Sequence, residues 1–487
     1  MKCALAAAIL LCAFLRGADS QETQNAPLHR LNVAALDAQG HPATGLRSAD
    51  FRLLEDGKPR DIAFFRFTGD QDPPAKPGEG EYSNRAAARH PTVILIDLLT
   101  DRILSDWVIG QEVADALKNT ESSEDLYLYI LTARGELYPI HPLPKPDTET
   151  MPAAEPWTRN IAPMLQGALR RLAGRRPVDD RDIQVRFDLT VNALRDLASR
   201  MAQISGRKNL VWVTHGNPIA GYSISGQSVV DFTNPLRWLC EELERAQIVM
   251  YPVEQSMAGA GAAVGTQSAE FLEEFTGITG GRLYSSDRAG AAIRQARTDS
   301  RANYQIAYYP GPLNLDGKHH KIRVICGRKG VHLQTEAGFY AVAPVVSPGH
   351  LAANALRSRE LPLEVETASH SPFDAVEIGI RASVSPDPID AMLFQIHIDT
   401  ADLLPRPARD PAAGKVWVAF VCYGEGPKPV AHPGLVSLTT EQLAAAKDGE
   451  IEVRYTMPLQ QALRKVRAIV FDAELGAAGS VTIPIQR

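Results

Sequence analysis

The chain has 487 residues, of which 45% are hydrophobic and 22% charged, and its formal net charge is -6. This length allows about three domains, and the composition is ordinary for a globular protein that buries real cores. A mildly acidic chain without a clustered basic face lacks the electrostatic footprint of a nucleic-acid-binding protein, so we expect no nucleic-acid partner.

The first twenty residues have the pattern of a secretory signal peptide. Lys2 supplies a positive charge, residues 4–15 are apolar, and small residues stand at positions 18 and 20. The apolar stretch is too short to span a membrane, so we predict cleavage of residues 1–20, with an uncleaved anchor as the alternative. No later apolar run reaches about 18 residues, which predicts a secreted or periplasmic protein without an integral membrane span.

Residues 28–68 have the alternating pattern of β-strands, and Asp56-Gly57 is a strong hairpin turn pair. About 40 residues of strand do not easily bury a core alone, so we interpret this segment as one half of a β-sandwich. Residues 69–90, rich in Pro, Gly and charge, are predicted to be a linker.

Residues 91–300 have a different pattern, in which predicted buried strands alternate with amphipathic helices. Thr92 to Asp97 is a continuous apolar run that ends in a carboxylate, which is typical of a strand buried on both faces. The alternation predicts an α/β fold with a doubly wound, mostly parallel sheet. Residues 141–187 interrupt this alternation of strands and helices and are interpreted as an insertion.

The pattern returns to β after the helical region. Residues 301–343 are expected to supply the other half of the first sandwich, so that the α/β domain is inserted within it. Residues 344–359 are a second predicted linker. Residues 360–487 carry about seven short strands, among them 361–368 and 375–383, which predicts a C-terminal Ig-like or fibronectin-like sandwich.

Three stretches resemble a known bacterial family. Residues 205–214 read SGRKNLVWVT and are similar to the GRKNLIWVS signature of the bacterial von Willebrand factor A (VWFA)-related domain family, common in acidobacterial secretomes. Residues 33–65 and 304–341 are similar to the patterns that flank this signature in the family. The resemblance spans about residues 30–343 and implies a von Willebrand factor A-like domain.

Members with an intact A domain hold a divalent cation through oxygen ligands at the strand ends, with one position open for an acidic partner group. By that resemblance Asp97 aligns with the first ligand, but Leu99 and Asp101 stand where serines are expected. Thr190, a possible loop ligand, lies in a helical pattern, and His215 replaces the second aspartate. Neutral histidine is a poor ligand for Mg²⁺. The site is therefore interpreted as degenerate, with Asp97, Asp101 and His215 left as a possible site for a different divalent metal.

Asp97 and three histidines of the later β segment each allow a second interpretation. Asp97 alternatively serves to hydrogen-bond the neighbouring loops. His319, His320 and His332 suggest a metal site, but exposed histidines of a β-hairpin are the favoured interpretation.

The leading functional hypothesis is a non-enzymatic, secreted binding or adhesion module with an unidentified protein partner, no cofactor and no catalytic residues. Its predicted partner-binding face comprises Asp97, Thr100, Asp101, Thr214 and His215. A metal-dependent, hydrolase-like enzyme with a remodelled strand-end site is the alternative, and a purely structural envelope protein is a third possibility.

Overall fold

A computed structural model describes most of the chain after the predicted signal peptide. The residues it describes are 28–69, 78, 80–85, 90–99, 113–117, 126–145, 161–172, 183–214, 233–254, 262–285, 288–311, 318–341, 361–387, 391–404, 415–424, 430–437, 446, 449–458 and 463–485.

Two four-stranded antiparallel sheets join the N-terminal strands to strands that follow the central segment. The first has the order β14-β1-β12-β4 and the second β15-β13-β2-β3. Their strands, numbered in chain order, are β1 (His29–Leu36), β2 (Phe51–Glu55), β3 (Lys58–Arg60), β4 (Ile62–Phe67), β12 (Asn303–Tyr308), β13 (His319–Cys326), β14 (His332–Gln334) and β15 (Gly338–Tyr340). Because β1 pairs with β12 and β2 with β13, the segments before and after the central region share one apolar core.

The turn between β2 and β3 follows its sequence signal. Asp56 and Gly57 have φ angles of 48° and 78°. Positive φ at both central residues is what a two-residue type I′ hairpin requires, and Asp-Gly tolerates it well.

A six-stranded sheet forms the central region, in the order β11-β10-β9-β6-β7-β8. Its strands are β6 (Thr92–Asp97), β7 (Leu126–Leu131), β8 (Leu137–His141), β9 (Lys208–Thr214), β10 (Ile248–Glu254) and β11 (Tyr284–Ser285). The pairings are parallel except that β8 runs antiparallel to β7. The carboxyl ends of β6 and β9 therefore lie side by side.

Helices cover this sheet. They are α1 (Ile161–Leu172), α2 (Ile183–Ala202), α3 (Thr233–Arg245), α4 (Ala262–Thr279) and α5 (Ala289–Arg301). Apolar residues of α2, α3 and α4 pack in one cluster, and those of α1, α5 and residues 113–117 pack in another. In α3, for example, Leu236, Leu239 and Leu243 recur at helical spacing and are buried.

The C-terminal region contains two more four-stranded antiparallel sheets, in the orders β20-β17-β16-β5 and β19-β18-β21-β22. Their strands are β5 (Glu81–Ser83), β16 (Ile380–Asp387), β17 (Ala391–Asp399), β18 (Lys415–Tyr423), β19 (Val430–Ser437), β20 (Glu450–Pro458), β21 (Lys465–Asp472) and β22 (Ala477–Pro484). A shared core lies between them. A further helix, α6 (Leu363–His370), packs against β18 and β21 through a separate cluster.

The predicted fold class is wrong. Among the described residues, sixteen of the 22 strands lie in four antiparallel sheets and only six in the mixed sheet. The chain is thus a predominantly antiparallel β protein, and not an α/β protein built on a doubly wound sheet of the von Willebrand factor A type. The error has a physical cause: the alternation of strands and helices in 91–300 indicates the class of that segment alone, whereas antiparallel pairings, many of them between strands far apart in the chain, hold the other sixteen strands.

The segment predicted as a linker, 69–90, also takes part in the fold. Its strand β5 pairs with β16, three hundred residues further along the chain. Asn84, 1% exposed, donates to the carbonyls of Ala375 and Ile378 at 2.7 and 2.8 Å and accepts from the amide of Ile380 at 2.8 Å. The C-terminal sheet therefore takes an edge strand from a segment whose composition indicates only a loop.

Two of the predicted C-terminal strands differ in the structure. Residues 361–368, predicted as a strand, lie mainly in α6, because Val365 and Ala368 at helical spacing bury one face while Leu363 is exposed. The strand predicted for 375–383 begins only at Ile380. Short apolar runs fit either period, and packing against β18 and β21 decides between them.

Candidate functional site

The carboxylate of Asp97, at the end of β6, is engaged on both oxygens. Oδ1 accepts the backbone N–H of Leu99 at 2.9 Å, and Oδ2 accepts the hydroxyl of Thr214 at 3.0 Å. Both Asp97 and Thr214 are fully buried. Charge-assisted bonds of this kind are among the stronger ones in proteins, so Asp97 fastens the end of β6 to the end of β9.

The other residues predicted for this edge have different positions. Thr100, Asp101 and His215 lie outside the described residues, so the divalent-cation site and the partner-binding face remain predictions. Thr190 lies in α2, where its hydroxyl donates to the carbonyl of Arg186, four residues earlier, at 2.9 Å. Since Asp97 and Thr214 have no accessible surface, contacts with a partner at this edge would fall to their neighbours.

The segment that carries the sequence resemblance forms a buried polar network. Arg207, 5% exposed, donates to Asn303 Oδ1 at 2.9 Å and to the hydroxyl of Tyr251 at 2.7 Å. Tyr251 in turn donates to Asp299 at 2.8 Å. The guanidinium therefore links the central sheet to β12 of the first sandwich, and a satisfied buried network of this kind specifies how the two pack.

Asn209 extends this network beneath the sheet. Its amide nitrogen lies 3.1 Å from Thr92 Oγ1, 3.0 Å from the carbonyl of Ala296 and 2.7 Å from Ser300 Oγ. Two N–H groups therefore serve three acceptors on β6 and α5. The sequence analysis used Arg207 and Asn209 only as part of a family signature. Their structural role could have been expected, because polar residues begin a strand that is otherwise apolar.

A second buried cluster contains titratable groups from β1, from α3 and from the segment between β14 and β15. His29 in β1 lies 3.3 Å from Glu244 of α3 through Nδ1 and 3.7 Å from Glu336 through Nε2. Burial lowers the pKa of His29, whereas burial raises the pKa of Glu244 to about 7 and that of Glu336 to about 8. The Phe339 ring packs against His29, with centroids 4.5 Å apart. Desolvation dominates here, which favours the neutral form of each group.

Charged groups also meet where the C-terminal region contacts the rest. Glu377 accepts from Arg30 at 3.1 Å and from Gln247 at 2.7 Å. Lys208, 2% exposed, donates to the carbonyl of Ile204 at 2.6 Å, and burial lowers its pKa to about 7 despite the nearby Glu377 carboxylate. These groups connect β1, the central sheet and the segment before β16.

The outer face of α3 presents a large aromatic side chain to solvent. Trp238 is 58% exposed. One turn further along the helix, Glu242 accepts a bidentate ion pair from Arg195 of α2, with atoms 2.6 to 3.1 Å apart. The sequence pattern did not single out Trp238 or the Arg195–Glu242 ion pair beside it.

The three histidines that the sequence suggested as a metal group are not together in one sheet. His319 and His320 lie on β13, while His332 lies on β14 in the other sheet of the sandwich. Nδ1 of His320 lies 2.7 Å from Asp56 Oδ2. His320 is therefore grouped with acidic residues of the β2–β3 turn and not with His332.

In the part of the chain that the structure describes, no helix combines the length and apolar character needed to cross a membrane. No family model matches the chain, and no curated protein matches it.

Among solved structures, the chain is similar to a β-glucosidase from Listeria innocua in complex with isofagomine, with 9% identity and a TM-score of 0.16. The match covers 81% of this chain and 46% of that one, so the chain spans less than half the length of the glucosidase. A TM-score this low carries no argument about fold or activity.

Proposed function

We propose that the protein is an exported, non-catalytic binding module, and that it binds a protein partner through the outer face of α3 around Trp238. The exposure of Trp238 carries this proposal. Tryptophan is enriched among the residues that dominate binding energy at protein interfaces, and a large exposed apolar side chain on a rigid helix is a ready anchor for a partner's pocket.

The surroundings of Trp238 support this proposal. Leu239 and Leu243 are buried beneath it, so the helix that presents the indole is firmly packed. The Arg195–Glu242 ion pair supplies a polar border at the next turn. Interfaces commonly combine an apolar centre with a polar rim. The partner that fits is a protein with an apolar pocket bordered by a hydrogen-bond acceptor for the indole N–H.

Two further observations support a binding role over catalysis. Both carboxylate oxygens of Asp97 accept structural hydrogen bonds at the predicted strand-end site, and the motif matches support binding through the family they resemble. The pattern of residues 1–20 separately supports export.

Affinity isolation with a matched variant tests the proposal. The protein lacking residues 1–20 is immobilised and exposed to extract from the cells that produce it, in parallel with Trp238→Ala and with Leu363→Ala. Leu363 is 64% exposed on α6 and serves as the control. The recovered partner is then purified and its Kd measured against each form.

We expect Trp238→Ala to weaken the binary complex by about 30-fold or more, the size of an interface hot spot, and Leu363→Ala to leave it unchanged. Equal affinity of the Trp238→Ala and wild-type proteins, or no partner bound by either, would contradict the proposal.

A further inference from the structure

Three potential metal ligands converge at the turn between β2 and β3, far along the chain from the predicted strand-end site. A carboxylate oxygen of Glu55, one of Asp56 and a ring nitrogen of His320 all lie within 4.8 Å of one another. Glu55 pairs with Ile322, so His320, two residues away on β13, faces the same side of the sheet. The left-handed backbone of Asp56 brings its carboxylate to the same point.

Neighbouring donors hold one oxygen of each carboxylate. Glu55 Oε2 accepts from Arg60 Nε at 2.7 Å and from the amide of Gly311 at 3.1 Å. Asp56 Oδ1 accepts from the amide of Lys321 at 2.9 Å, while its Oδ2 faces His320. Such outer contacts orient ligating carboxylates in metal sites, so the other oxygen of each carboxylate is the prospective ligand atom.

The imidazole is also held in place. Its ring stacks on Phe339, with centroids 5.5 Å apart and planes inclined by 24°. Nδ1 of His320 lies 2.7 Å from Asp56 Oδ2, so the two prospective ligand atoms already point at each other. A bound ion displaces the hydrogen between them, the two atoms move apart to the spacing of metal ligands, and the ring proton resides on Nε2.

The ligand set selects the kind of ion. Tetrahedral ligands of Zn²⁺ are about 3.3 Å apart for bonds near 2.0–2.1 Å. His320 Nδ1 and Asp56 Oδ2, now 2.7 Å apart, would separate slightly on binding, and the Glu55 carboxylate, within 4.8 Å of both, would approach them by a small side-chain movement. An imidazole with two carboxylates suits Zn²⁺ better than Mg²⁺ or Ca²⁺, which prefer oxygen alone. Glu55 is 3% exposed and Asp56 46% exposed, so the cluster is anchored inside and open to solvent on one side.

We propose that Glu55, Asp56 and His320 form a binding site for one Zn²⁺ ion, with its fourth position open to water. The ion joins the β2–β3 turn to β13 and so clamps one end of the first sandwich. The Arg60 guanidinium beside Glu55 adds positive charge near the ion, so the affinity is moderate, with a micromolar Kd. The site is independent of the α3 face and of Asp97.

Calorimetric titration of the untagged, chelator-treated protein with ZnCl₂ tests this assignment. We expect one ion per chain, with His320→Asn and Asp56→Asn each weakening binding by at least about 30-fold. Co²⁺ titration gives a second readout, because a tetrahedral site with this ligand set produces a visible absorption band that His320→Asn abolishes.

Two matched controls locate the ion. His332→Asn removes an exposed histidine of the other sheet and should leave binding unchanged. Asp97→Ala should also leave it unchanged. Far-ultraviolet circular dichroism checks that each variant is folded. Absence of binding to the wild-type protein at 100 µM Zn²⁺, on the order of a hundred times a micromolar Kd, or full binding by folded His320→Asn, would overturn the assignment.

Discussion

Substitution of Asp97 by alanine distinguishes a structural carboxylate from a metal ligand at the end of β6. The side chain is fully buried and accepts hydrogen bonds from Leu99 N–H and the Thr214 hydroxyl. A buried hydrogen bond to a charged group contributes about 1.5–3 kcal/mol, so Asp97→Ala should lower the free energy of unfolding by about 3–5 kcal/mol. Asp97→Asn keeps the shape and an acceptor for Leu99, and should lower it by about 1–2 kcal/mol.

Urea unfolding in the presence of EDTA measures the effect, and hydrogen exchange of β6 and β9 locates it. A structural carboxylate predicts faster exchange in both strands of Asp97→Ala without any metal present. If Asp97 instead serves as a ligand for a cation that is absent, Asp97→Ala should be as stable as the wild type or more stable, because the substitution removes the desolvation cost of an uncompensated buried charge. Equal or greater stability of Asp97→Ala in EDTA would refute the structural interpretation.

Three further predictions concern packing and pH. Burial raises the pKa of Glu336 from 4.5 to about 8, so the stability that its protonated carboxyl contributes is complete below pH 4.5 and is lost as pH rises through 8. The Glu336→Gln variant has no such loss, so urea titrations should show its free energy of unfolding rising relative to that of the wild type by about 3–5 kcal/mol between pH 5 and 9. Glu366→Gln is the exposed control. Asn84→Ala removes three buried hydrogen bonds and should destabilise the C-terminal sheets by about 2–4 kcal/mol, with faster hydrogen exchange in β16; unchanged exchange there would contradict the role of Asn84. A Cβ at Gly281 would lie 1.6 Å from a backbone carbonyl oxygen, whereas a Cβ at Gly277 would have nothing within 4 Å. Thermal unfolding should therefore show Gly281→Ala destabilised by about 3 kcal/mol and Gly277→Ala unchanged or slightly stabilised. Similar melting temperatures of the two variants would contradict the close approach at Gly281.

Local structure followed from local sequence signals. The apolar run Thr92–Asp97 is a buried strand, Asp56-Gly57 is a hairpin turn, and the leucines of α3 face the core. In each case the period of apolar residues, or the backbone freedom that a turn needs, is encoded within a few neighbouring positions.

Long-range pairing was not predictable in the same way. Nothing in residues 81–83 indicates that they pair with β16, because edge-strand pairing is set by tertiary context. The predominance of antiparallel strands, on which the predicted fold class was wrong, likewise depends on pairings between strands far apart in the chain, such as β1 with β12 and β2 with β13. The run 361–368 has the apolar content of a strand, as predicted, although Leu363–His370 packs as a helix.

The candidate sites show the same division. Sequence reasoning identified Asp97 from its place at a strand end, but not the hydrogen bonds that engage it. It noticed His320 but grouped it with His332, because Asp56 approaches only through the pairing of β2 with β13. The exposure of Trp238 was not predicted. The apolar spacing in α3 indicates which face is buried, but it does not indicate whether other segments cover the outer face.

Photo-crosslinking on the α3 face with Trp238 kept intact tests the proposal of protein binding most directly. Arg245, exposed two turns along α3 from Trp238, is replaced by p-benzoylphenylalanine in the producing cells, with Leu363→p-benzoylphenylalanine as the control, and the irradiated products are compared by mass. We predict a covalent adduct with one protein from position 245 that excess wild-type protein suppresses and that Trp238→Ala in the same chain abolishes. Absence of that adduct, or an equal adduct from position 363, would contradict the assignment of the α3 face as a binding surface.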